Sequence, residues 1–301
     1  MKILVTGASG FVGQNLIDYL KRYPDVEVEI ISLRNPKWID VELNDYNAII
    51  HLAGKAHDTS NTSDDNSYFE INRDLTIKLF KKFKDSNVKD LLYFSSVKAV
   101  ADSVEGILTE NVLPNPITPY GRSKMEAENF LISEPIRDDQ RVFILRPCMI
   151  HGPGNKGNLN LLFNVVQKGL PWPLGAFHNE RSFLSIDNLS FLIYQILNNN
   201  TLKSNVYNLA DDEFVSTNQL VDLISKVLGK KTKLLNINTS IIKNLVKIGD
   251  VLPLPLNSER LKKLTESYCV SNNKIKADLK LNNLPTSAID GLTKTLQSFN
   301  R

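Results

Sequence analysis

The amino-acid sequence predicts an α/β fold built on a doubly wound parallel sheet with a smaller C-terminal cap. Through the first half of the chain, short apolar runs rich in β-branched residues alternate with longer segments whose apolar residues recur at helical spacing. This alternation is typical of parallel strands joined by helices that cover both faces of the sheet. The second half is richer in glycine and proline loops, which favours a separate cap.

Short apolar runs bounded by turn residues are predicted to be the strands of the sheet, because buried helices are longer. The predicted strands are 2–6, 26–32, 47–52, 90–95 and 142–147, with a return strand at 206–209. The predicted helices are 11–22, 67–86 and 120–133, and in the second half 187–199, 217–228 and 239–250.

Three glycines directly follow the first predicted strand. Gly7, Gly10 and Gly13 occupy the turn between this strand and the helix that begins at Phe11. Such a turn needs glycine where the chain reverses, where backbone approaches a ligand, and where the helix packs against the strand. The N–H groups and the positive end of the helix favour a phosphate. The spacing is Gly-x-x-Gly-x-x-Gly, and a tight loop without a ligand is the alternative interpretation.

The change to glycine-rich and proline-rich loops from about residue 151 predicts how the chain is divided. Residues 1–150 are expected to form a dinucleotide-binding domain of the Rossmann type, completed by a return strand near 205–210. Residues 151–301 are expected to form mainly a substrate-binding cap that completes a cleft with the sheet.

Composition and charge argue against several other classes of protein. The 301 residues are 42% hydrophobic and carry a formal net charge of +3, too small to argue for nucleic acid or a membrane as partner. No apolar stretch approaches the length of a membrane span, and a signal peptide is not expected. Cys148 and Cys269 lack metal-ligand spacing and are expected to be reduced thiols of a cytoplasmic protein.

A tyrosine and a lysine four residues apart begin the predicted helix 120–133. Tyr120 and Lys124 share one face of it, and they follow the serines Ser95 and Ser96 that end a predicted strand. A phenol with a pKa of about 10 is a poor base, but a nearby ammonium and a positive nicotinamide ring would lower that pKa. The tyrosine can then exchange a proton with a sugar hydroxyl while hydride moves, and a serine can hold the same oxygen.

Several motifs together resemble the extended short-chain dehydrogenase/reductases, which include the nucleotide-sugar epimerases and dehydratases. They are "TGASGFVG" at 6–13, "HLAG" at 51–54, Asn72, "FSS" at 94–96 and "PYGRSKMEAE" at 119–128, and the resemblance covers nearly the whole chain. It implies that Ser96, rather than Ser95, is catalytic together with Tyr120 and Lys124. The cofactor-binding residues it implies are Gly7, Ser9, Gly10, Phe11, Val12, Gly13, Ser32, Arg34, Leu52, Ala53, Gly54, Asn72, Tyr120, Lys124 and Pro147.

Two segments of the second half are similar to the UDP-sugar-modifying branch that serves bacterial surface polysaccharide synthesis. They are "RPCMIHGPGNKGN" at 146–158 and "GLPWPLGAFHNERSFLSIDNL" at 169–189. By this resemblance Asn158 and Arg181 contact the nucleotide diphosphate, which suits the planar fork of an arginine. An ordinary surface salt bridge is the alternative for Arg181. Lys156 is either another phosphate contact or a solvated loop residue.

The end of the second predicted strand bears on the choice of cofactor. Family members that prefer NAD usually carry an acid there, whereas this chain has Ser32, followed by Leu33 and Arg34. Because a carboxylate is absent from this position and an arginine follows it, the site can accept the 2′-phosphate of NADP. NADP is therefore favoured over NAD. The alternative is that Arg34 stacks on the adenine or points to water.

The residues after Ser96 argue against dehydration. Nucleotide-sugar dehydratases of this family carry an Asp-Glu pair there, and this chain has Val97 and Lys98. Without that acid and base the elimination lacks its proton-transfer groups. Lys98 is assigned either to substrate contact or to a solvated loop.

The histidines are not expected to form a metal site. The default interpretation of a histidine in a strand, as for His51, is a core residue with satisfied hydrogen bonds. His57 is predicted to lie in the loop above the strand ends, and His178 in a loop of the cap. His151 stands where the family commonly has tyrosine.

The sequence thus predicts NAD(P)-dependent oxidoreduction at C4 of a UDP-sugar, with a hexosamine expected. In one version NADPH reduces a UDP-4-keto-6-deoxy-sugar once, and Tyr120 gives the proton. In the other, a tightly held NAD oxidises C4, the keto-sugar rotates, and the returning hydride completes 4-epimerisation. A non-catalytic NADP-binding sensor or scaffold on the same fold is the alternative of another class. The resemblance also implies a homodimer formed through helices 67–86 and 120–133.

Overall fold

The structure is a computed structural model that describes residues 1–55, 64–155, 157–251 and 257–300. Its strands are β1 (Lys2–Thr6), β2 (Glu27–Ile31), β3 (Ala48–His51), β4 (Asp90–Phe94), β5 (Ile107–Leu108), β6 (Arg141–Pro147), β7 (Met149–His151), β8 (Arg181–Ser185), β9 (Asn205–Leu209), β10 (Phe214–Val215) and β11 (Cys269–Val270). Its α-helices are α1 (Phe11–Leu20), α2 (Asp65–Tyr68), α3 (Leu75–Lys84), α4 (Pro119–Ser133), α5 (Asn158–Gln167), α6 (Ile186–Asn198), α7 (Thr217–Val227), α8 (Thr239–Val251), α9 (Ser258–Thr265), α10 (Asn273–Leu279) and α11 (Ala288–Ser298).

The central sheet has the strand order β2-β1-β3-β4-β6-β9, and every neighbouring pair is parallel. The chain passes from β1 to β2 on one side and then returns to the other side of β1 with β3. The order therefore reverses between β1 and β3, and the carboxyl ends of these two strands border a crevice. Open parallel sheets bind their ligands at such a point.

Helices cover both faces of this sheet, as the doubly wound prediction requires. Successive residues of a strand face opposite sides. On β1, Ile3 and Val5 pack in one apolar cluster with α1 and α6, whereas Leu4 packs in a second cluster with α3 and α4. Burial of apolar surface on both faces, at roughly 25 cal/mol per Å², is the main source of stability in such a layered fold.

A buried ion pair attaches α4 to the sheet. Arg146 of β6 donates from Nε to both carboxylate oxygens of Glu128 at 3.0 Å, and both side chains are almost entirely buried. Removal of one partner from a buried pair typically costs about 3–5 kcal/mol, because the other charge is left uncompensated. The pair therefore holds α4 in one position relative to β6.

A third apolar cluster lies in the second half of the chain. Its buried members come from α5, α7, α8, α9 and α11, together with Phe183 of β8, Val215 of β10, and Trp172 and Leu174 of the loop after α5. Two small sheets, β10-β8-β7 and β11-β5, accompany it. The region that contains this cluster is called the cap below. The domain boundary near residue 150 stays a prediction, and α6 and β9 from beyond that boundary pack with the central sheet.

The predicted strands and helices are confirmed, with ends that differ by at most two residues. The helix predicted at 67–86 is interrupted, because α2 and α3 are joined by a π-helical turn at Phe69–Asp74. No prediction covers α5, whose buried residues Leu162, Phe163 and Val166 have helical spacing. Glycine-rich and proline-rich loops on both sides concealed that short amphipathic pattern.

Two further predictions concern thiols and membrane spans. Cys148 and Cys269 are both buried and free. Within the described ranges, no helix combines the length and the apolar character needed to cross a bilayer.

Candidate active site

The glycine turn after β1 lies against the chain that leaves β3. Gly7 has a φ of +73°, and a Cβ on it would lie 2.5 Å from the backbone nitrogen of Ala53. A Cβ on Gly13 would lie 2.6 Å from the carbonyl oxygen of Gly7. Both distances are shorter than van der Waals contact allows. Gly7 is therefore required for conformation and space, and Gly13 for the packing of α1 on the turn.

The turn leads directly into the N-terminus of α1. Gly10 is the N-cap, none of the described side chains caps this end, and the first turn carries no acidic residue. Ser9 and Gly10 are exposed, whereas Phe11 and Val12 are half-buried. The first N–H groups of a helix have no intrahelical partner, and they add to the positive end of the helix dipole. These N–H groups lie at the crevice between β1 and β3. Their position favours a phosphate-binding site over the alternative of a tight loop without a ligand.

Tyr120 and Ser96 meet at the carboxyl end of β4. Helix α4 begins at Pro119, and Thr118 caps it with its hydroxyl, which is a common start for a helix. Tyr120 follows in the first turn, and its phenol is hydrogen-bonded to the side chain of Ser96. Ser95 is buried, and no hydrogen-bond partner of its hydroxyl occurs among the described residues. The geometry therefore pairs Tyr120 with Ser96, the serine that the sequence favoured.

Lys124 lies one turn further along α4 and is buried. Its Nζ donates to the carbonyl oxygen of Phe94 at 2.7 Å and lies 5.0 Å from the centre of the Tyr93 ring. Burial lowers the pKa of Lys124 to about 8, and the negative charge of Glu128 opposes this shift. The ammonium is thus still mainly charged at neutral pH. Gly54 follows β3, and a Cβ on it would lie 3.2 Å from the Nζ of Lys124. Lys124 therefore lies beside the same crevice as the glycine turn.

Burial raises the pKa of Tyr120 above its usual value, and the hydrogen bond from Ser96 opposes this shift. Burial disfavours a phenolate in the protein without a dinucleotide, and the ammonium of Lys124 donates to the carbonyl of Phe94. Tyr120 is consequently a protonated phenol at neutral pH. The expectation that Lys124 and a nicotinamide ring together lower the pKa of this tyrosine concerns the dinucleotide-bound protein and stays a prediction.

Asn72 joins three segments below the crevice. It is fully buried in the π-helical turn, and its Oδ1 accepts the backbone N–H of Lys55 at 2.7 Å. Its Nδ2 donates to the carbonyl of Lys55 and to the hydroxyl of Ser123, each at 3.1 Å. The loop after β3 is thereby tied to α4. Insertions of the π type recur at functional sites because they re-aim a side chain, here the amide of Asn72.

Lys98 follows the serines and is half-buried. Its Nζ donates to the carbonyl of Asp102 at 2.7 Å and lies 4.3 Å from the centre of the Tyr268 ring. Burial lowers the pKa of Lys98, Asp102 opposes the shift, and the charge of Arg181 adds to it. The interpretation as a loop lysine in solvent is therefore wrong. The sequence did not single out Tyr268, since only the fold brings it beside Lys98.

Arg181 begins β8 in the cap. One of its Nη atoms donates to the carbonyl of Lys263 at 2.7 Å, so the hydrogen bond described for it goes to a backbone oxygen rather than to a carboxylate. Burial lowers the pKa of Arg181, and Glu266 opposes this shift. Arg181 forms a backbone bridge with Tyr268, and Lys98 lies over the ring of that same tyrosine, so both cations adjoin Tyr268. Such a pair can bind a diphosphate.

The residues predicted to select the cofactor lie at the end of β2. Ser32 and Arg34 are both exposed, and Leu33 between them is buried in the core. Residues 32–34, which follow β2, include no carboxylate. Because β2 pairs with β1 in parallel, this strand end lies beside the end of β1, where the glycine turn begins.

The remaining predicted residues are distributed around the crevice. Ala53 donates its N–H to the hydroxyl of Thr6 at 3.2 Å, and Leu52 donates its N–H to the carbonyl of the same threonine at 3.2 Å. Pro147 ends β6 and is buried. Asn158 begins α5. Lys156 and His57 lie outside the described residues.

His51 is a core residue, as its strand position suggested. Its ring nitrogens contact the hydroxyls of Thr6 and Thr76 at 2.7 and 2.9 Å. Burial, with a smaller effect from Lys124, lowers the pKa of His51 to about 3, so the ring is neutral. His151 is also buried, 3.5 Å from the carboxylate of Asp211. His178 is exposed in the cap.

Comparisons with known proteins agree with this arrangement. Residues 3–210 match the family described as "NAD dependent epimerase/dehydratase family". The UDP-glucose 4-epimerase of Vibrio cholerae is 32% identical over 256 residues, which cover 76% of each chain. The solved structure "MoeE5 in complex with UDP-glucose and NAD" has a TM-score of 0.77 at 20% identity, over 100% of this chain and 99% of that one. "RMD from Pseudomonas aeruginosa complexed with NADPH" gives 0.76 at 20% identity, over 100% of both chains.

The strand order and the glycine turn define a Rossmann-type α/β protein, and the likeness to the solved structures confirms that fold. The chain belongs to the NAD-dependent epimerase/dehydratase family, within the short-chain dehydrogenase/reductase superfamily. The resemblance that the sequence motifs carry is thereby confirmed.

A Gly7→Ala substitution tests the close approach in the turn. We expect a lower melting temperature and a dinucleotide affinity reduced by about tenfold or more, because a Cβ clashes with Ala53 and alanine disfavours a positive φ. Thermal unfolding and equilibrium dinucleotide titration measure the two effects. Gly106→Ala is the matched control, since Gly106 has a φ of +76° with open space around it. Equal behaviour of the two variants would show that contact with Ala53 has no part in binding.

Proposed function

We propose that this protein catalyses NAD(P)-dependent oxidoreduction at C4 of a UDP-sugar. The observation that carries the proposal is the hydrogen-bonded pair of Tyr120 and Ser96 at the carboxyl edge of the sheet, with Lys124 one turn along α4. Family membership and the 32% identity to a UDP-glucose 4-epimerase support it. Because all three catalytic candidates are retained and assembled, an enzyme is favoured over the alternative of a binding-only sensor or scaffold.

Tyr120 exchanges the proton of the sugar O4 in this proposal. A bound nicotinamide dinucleotide would supply or accept the hydride at C4. As the carbonyl oxygen gains negative charge, the Tyr120 phenol donates its proton to it, and Ser96 holds the same oxygen by a hydrogen bond. Lys124 provides a fixed positive charge one turn away, which limits the cost of the phenolate that is left.

Reduction of a UDP-4-keto-6-deoxy-hexosamine is the first candidate, because the exposed Ser32 and Arg34 favour NADPH, the hydride source of a one-way reduction. In this reaction Tyr120 only donates its proton. Epimerisation at C4 is the second candidate, and the identity to the Vibrio cholerae enzyme favours it. In that case Tyr120 first accepts the proton from the 4-hydroxyl and then returns it after the keto-sugar has rotated.

Lys98 and Arg181 are proposed to receive the diphosphate of the nucleotide. Burial disfavours the charged form of both groups in the protein alone. A bound anion beside them would stabilise those charged forms. Asn158 at the start of α5 is proposed to contribute to the same subsite. Lys98 also stands where dehydratases of the family carry an acid, which argues against dehydration.

NADP is the favoured cofactor in this proposal, with NAD as the alternative. Ser32 replaces the usual carboxylate, and the exposed guanidinium of Arg34 can pair with a 2′-phosphate. One of the solved relatives is complexed with NADPH and another with NAD, so relatives of this fold use either form.

A cytoplasmic location and a homodimer complete the proposal. The free thiols Cys148 and Cys269 suit a reducing compartment. The helices expected to form the dimer are α3 and α4, as the family resemblance implies.

Release of the bound nucleotide distinguishes the two reactions. We expect freshly purified protein, when denatured, to release little nucleotide, and the empty protein to bind NADPH more tightly than NADH. Chromatography of the supernatant and equilibrium titration measure this. Near-stoichiometric release of NAD would instead indicate a cofactor regenerated in place, and thus the 4-epimerase. Failure to bind either dinucleotide would contradict the proposed enzyme altogether.

A Tyr120→Phe substitution tests the acid–base role. We expect turnover to fall by about 10²–10⁴-fold with little change in dinucleotide affinity, because only the proton donor is lost. Steady-state rates with a 4-keto or 4-hydroxy UDP-sugar measure the effect. The control is Tyr23→Phe, which removes a hydrogen-bonded phenolic hydroxyl from a partly buried pair with Tyr19. Turnover at the wild-type rate in Tyr120→Phe would exclude the assignment.

An Arg34→Asp substitution tests the choice of cofactor. We expect the ratio of NADPH to NADH affinity to fall by about tenfold or more, since a charged hydrogen bond is replaced by repulsion of the 2′-phosphate. Competitive titration of the two dinucleotides measures the ratio. Arg22→Asp makes the same charge change after α1 and should leave it unaltered. An unchanged ratio in Arg34→Asp would remove the argument for NADP.

A further inference from the structure

The outer surface of the cap has an unusual distribution of charge. Residues 157–179, with α5, and residues 223–249, with most of α8, contain seven lysines and neither aspartate nor glutamate. These two stretches are called the lysine-rich surface below. The whole chain has 36 lysines and arginines against 33 acidic residues, so the chain outside these stretches is net acidic. The small net charge of +3 conceals this segregation.

The same surface exposes large apolar side chains. Half of the large apolar residues that are exposed among the described residues belong to it, and several have more than half of their surface open to solvent. They are Leu161, Val165, Leu170, Leu234, Leu235, Ile241, Leu245 and Ile248. Concentrated apolar exposure of this kind marks a surface that contacts a partner or a membrane.

A groove of about 340 Å³ lies between α5 and α7 on this surface. Val166, Leu170 and Val221 contribute its apolar lining, and Lys230, Lys231 and Lys233 contribute the cationic part. The ammonium of Lys230 donates to the carbonyl of Gln167, and that of Lys233 lies 3.5 Å from the carbonyl of Gly169. The fold therefore holds positive charges directly beside apolar side chains.

Helix α8 repeats this combination. Ile242 and Val246 face inward and pack in the apolar cluster of the cap. Ile241, Leu245 and Ile248 recur at positions i, i+4 and i+7 along an exposed flank, and Lys243 and Lys247 are exposed as well. A helix of a water-exposed surface normally has one apolar face, whereas α8 has an inward face and an exposed apolar flank.

We propose that the lysine-rich surface docks on a bilayer that contains anionic lipids. Lys226 is paired with Asp222 at the edge of the surface, while the exposed Lys230, Lys231, Lys233, Lys243 and Lys247 have no carboxylate within the two stretches. These lysines attract an anionic headgroup layer, and leucine and isoleucine side chains enter the boundary with the acyl chains. Duplex nucleic acid matches the charge but offers no apolar layer for these side chains. The surface lies on elements that carry none of Ser96, Tyr120 and Lys124. Its first stretch includes Asn158, at the start of α5, which is proposed above as a substrate contact.

Vesicle sedimentation of the full chain tests the proposal without any enzymatic readout. We expect the protein to sediment with vesicles of phosphatidylcholine and phosphatidylglycerol, to remain in solution with pure phosphatidylcholine, and to be released by high salt. The variant carrying Lys230→Glu, Lys231→Glu and Lys233→Glu should lose about a hundredfold in vesicle affinity, because each lysine near an anionic surface contributes about fivefold. Its matched control is Lys21→Glu, Lys37→Glu and Lys203→Glu, three exposed lysines outside the surface, which should bind like the wild type.

The apolar part is tested separately with Leu245→Ser and Ile248→Ser. The two substitutions together should weaken the part of vesicle binding that remains in moderate salt. The control, Ile39→Ser with Leu113→Ser at exposed apolar positions outside the surface, should leave that binding unchanged. Melting temperatures confirm that each variant is folded.

Several outcomes would overturn the proposal. They are absence of binding to anionic vesicles, equal loss in the control lysine variant, and binding that is the same for neutral vesicles. Salt-sensitive binding to duplex DNA that depends on Lys230, Lys231 and Lys233, without vesicle binding, would assign the surface to nucleic acid instead. Since turnover is not measured, failure here is distinguishable from failure of the proposed reaction.

Discussion

The contact between the glycine turn and the chain leaving β3 is the constraint on which the site depends. With Gly7 against the backbone of Ala53, the carboxyl ends of β1 and β3 are held side by side where the strand order reverses. Thr6 strengthens this junction, because its hydroxyl accepts the N–H of Ala53 and contacts the ring of the buried His51. A larger residue at position 7 would separate these two strand ends and open the crevice.

From this junction a short series of contacts reaches the catalytic helix. The chain after Ala53 presents the backbone of Lys55 to the amide of Asn72, and that amide also binds Ser123 on α4. The ion pair of Glu128 with Arg146 fixes the same helix to the sheet two turns later. The position of Tyr120 and Lys124 relative to the glycine turn is therefore determined by buried polar contacts as well as by apolar packing.

The site is a region where burial disfavours charge. Burial shifts the pKa values of Lys124, Lys98 and Arg181 downward and that of Tyr120 upward, in each case toward the neutral form. The cost of burying these charged groups is reduced when a ligand of opposite charge binds in the cleft. An anion would stabilise the cations, and a cationic ring would stabilise the phenolate of Tyr120. The cap surface differs, since its lysine side chains are exposed to solvent. One chain thus holds two kinds of cation, desolvated ones in the cleft and solvated ones on the outside.

The sequence by itself determined the features that depend on local spacing. Strand and helix positions, the glycine turn and the Tyr120–Lys124 pair all follow from residues within a few positions of one another, where periodicity and backbone sterics decide the structure. Only the tertiary structure decided which groups are desolvated and what they contact. Lys98 contacts Tyr268 from the far end of the chain, and burial raises the pKa of Tyr120 in the protein without a dinucleotide. Net charge, being a sum over the sequence, likewise carries no information on where the charges lie. Burial and electrostatic contact depend on distances in space, and these are set when segments far apart in the chain pack together.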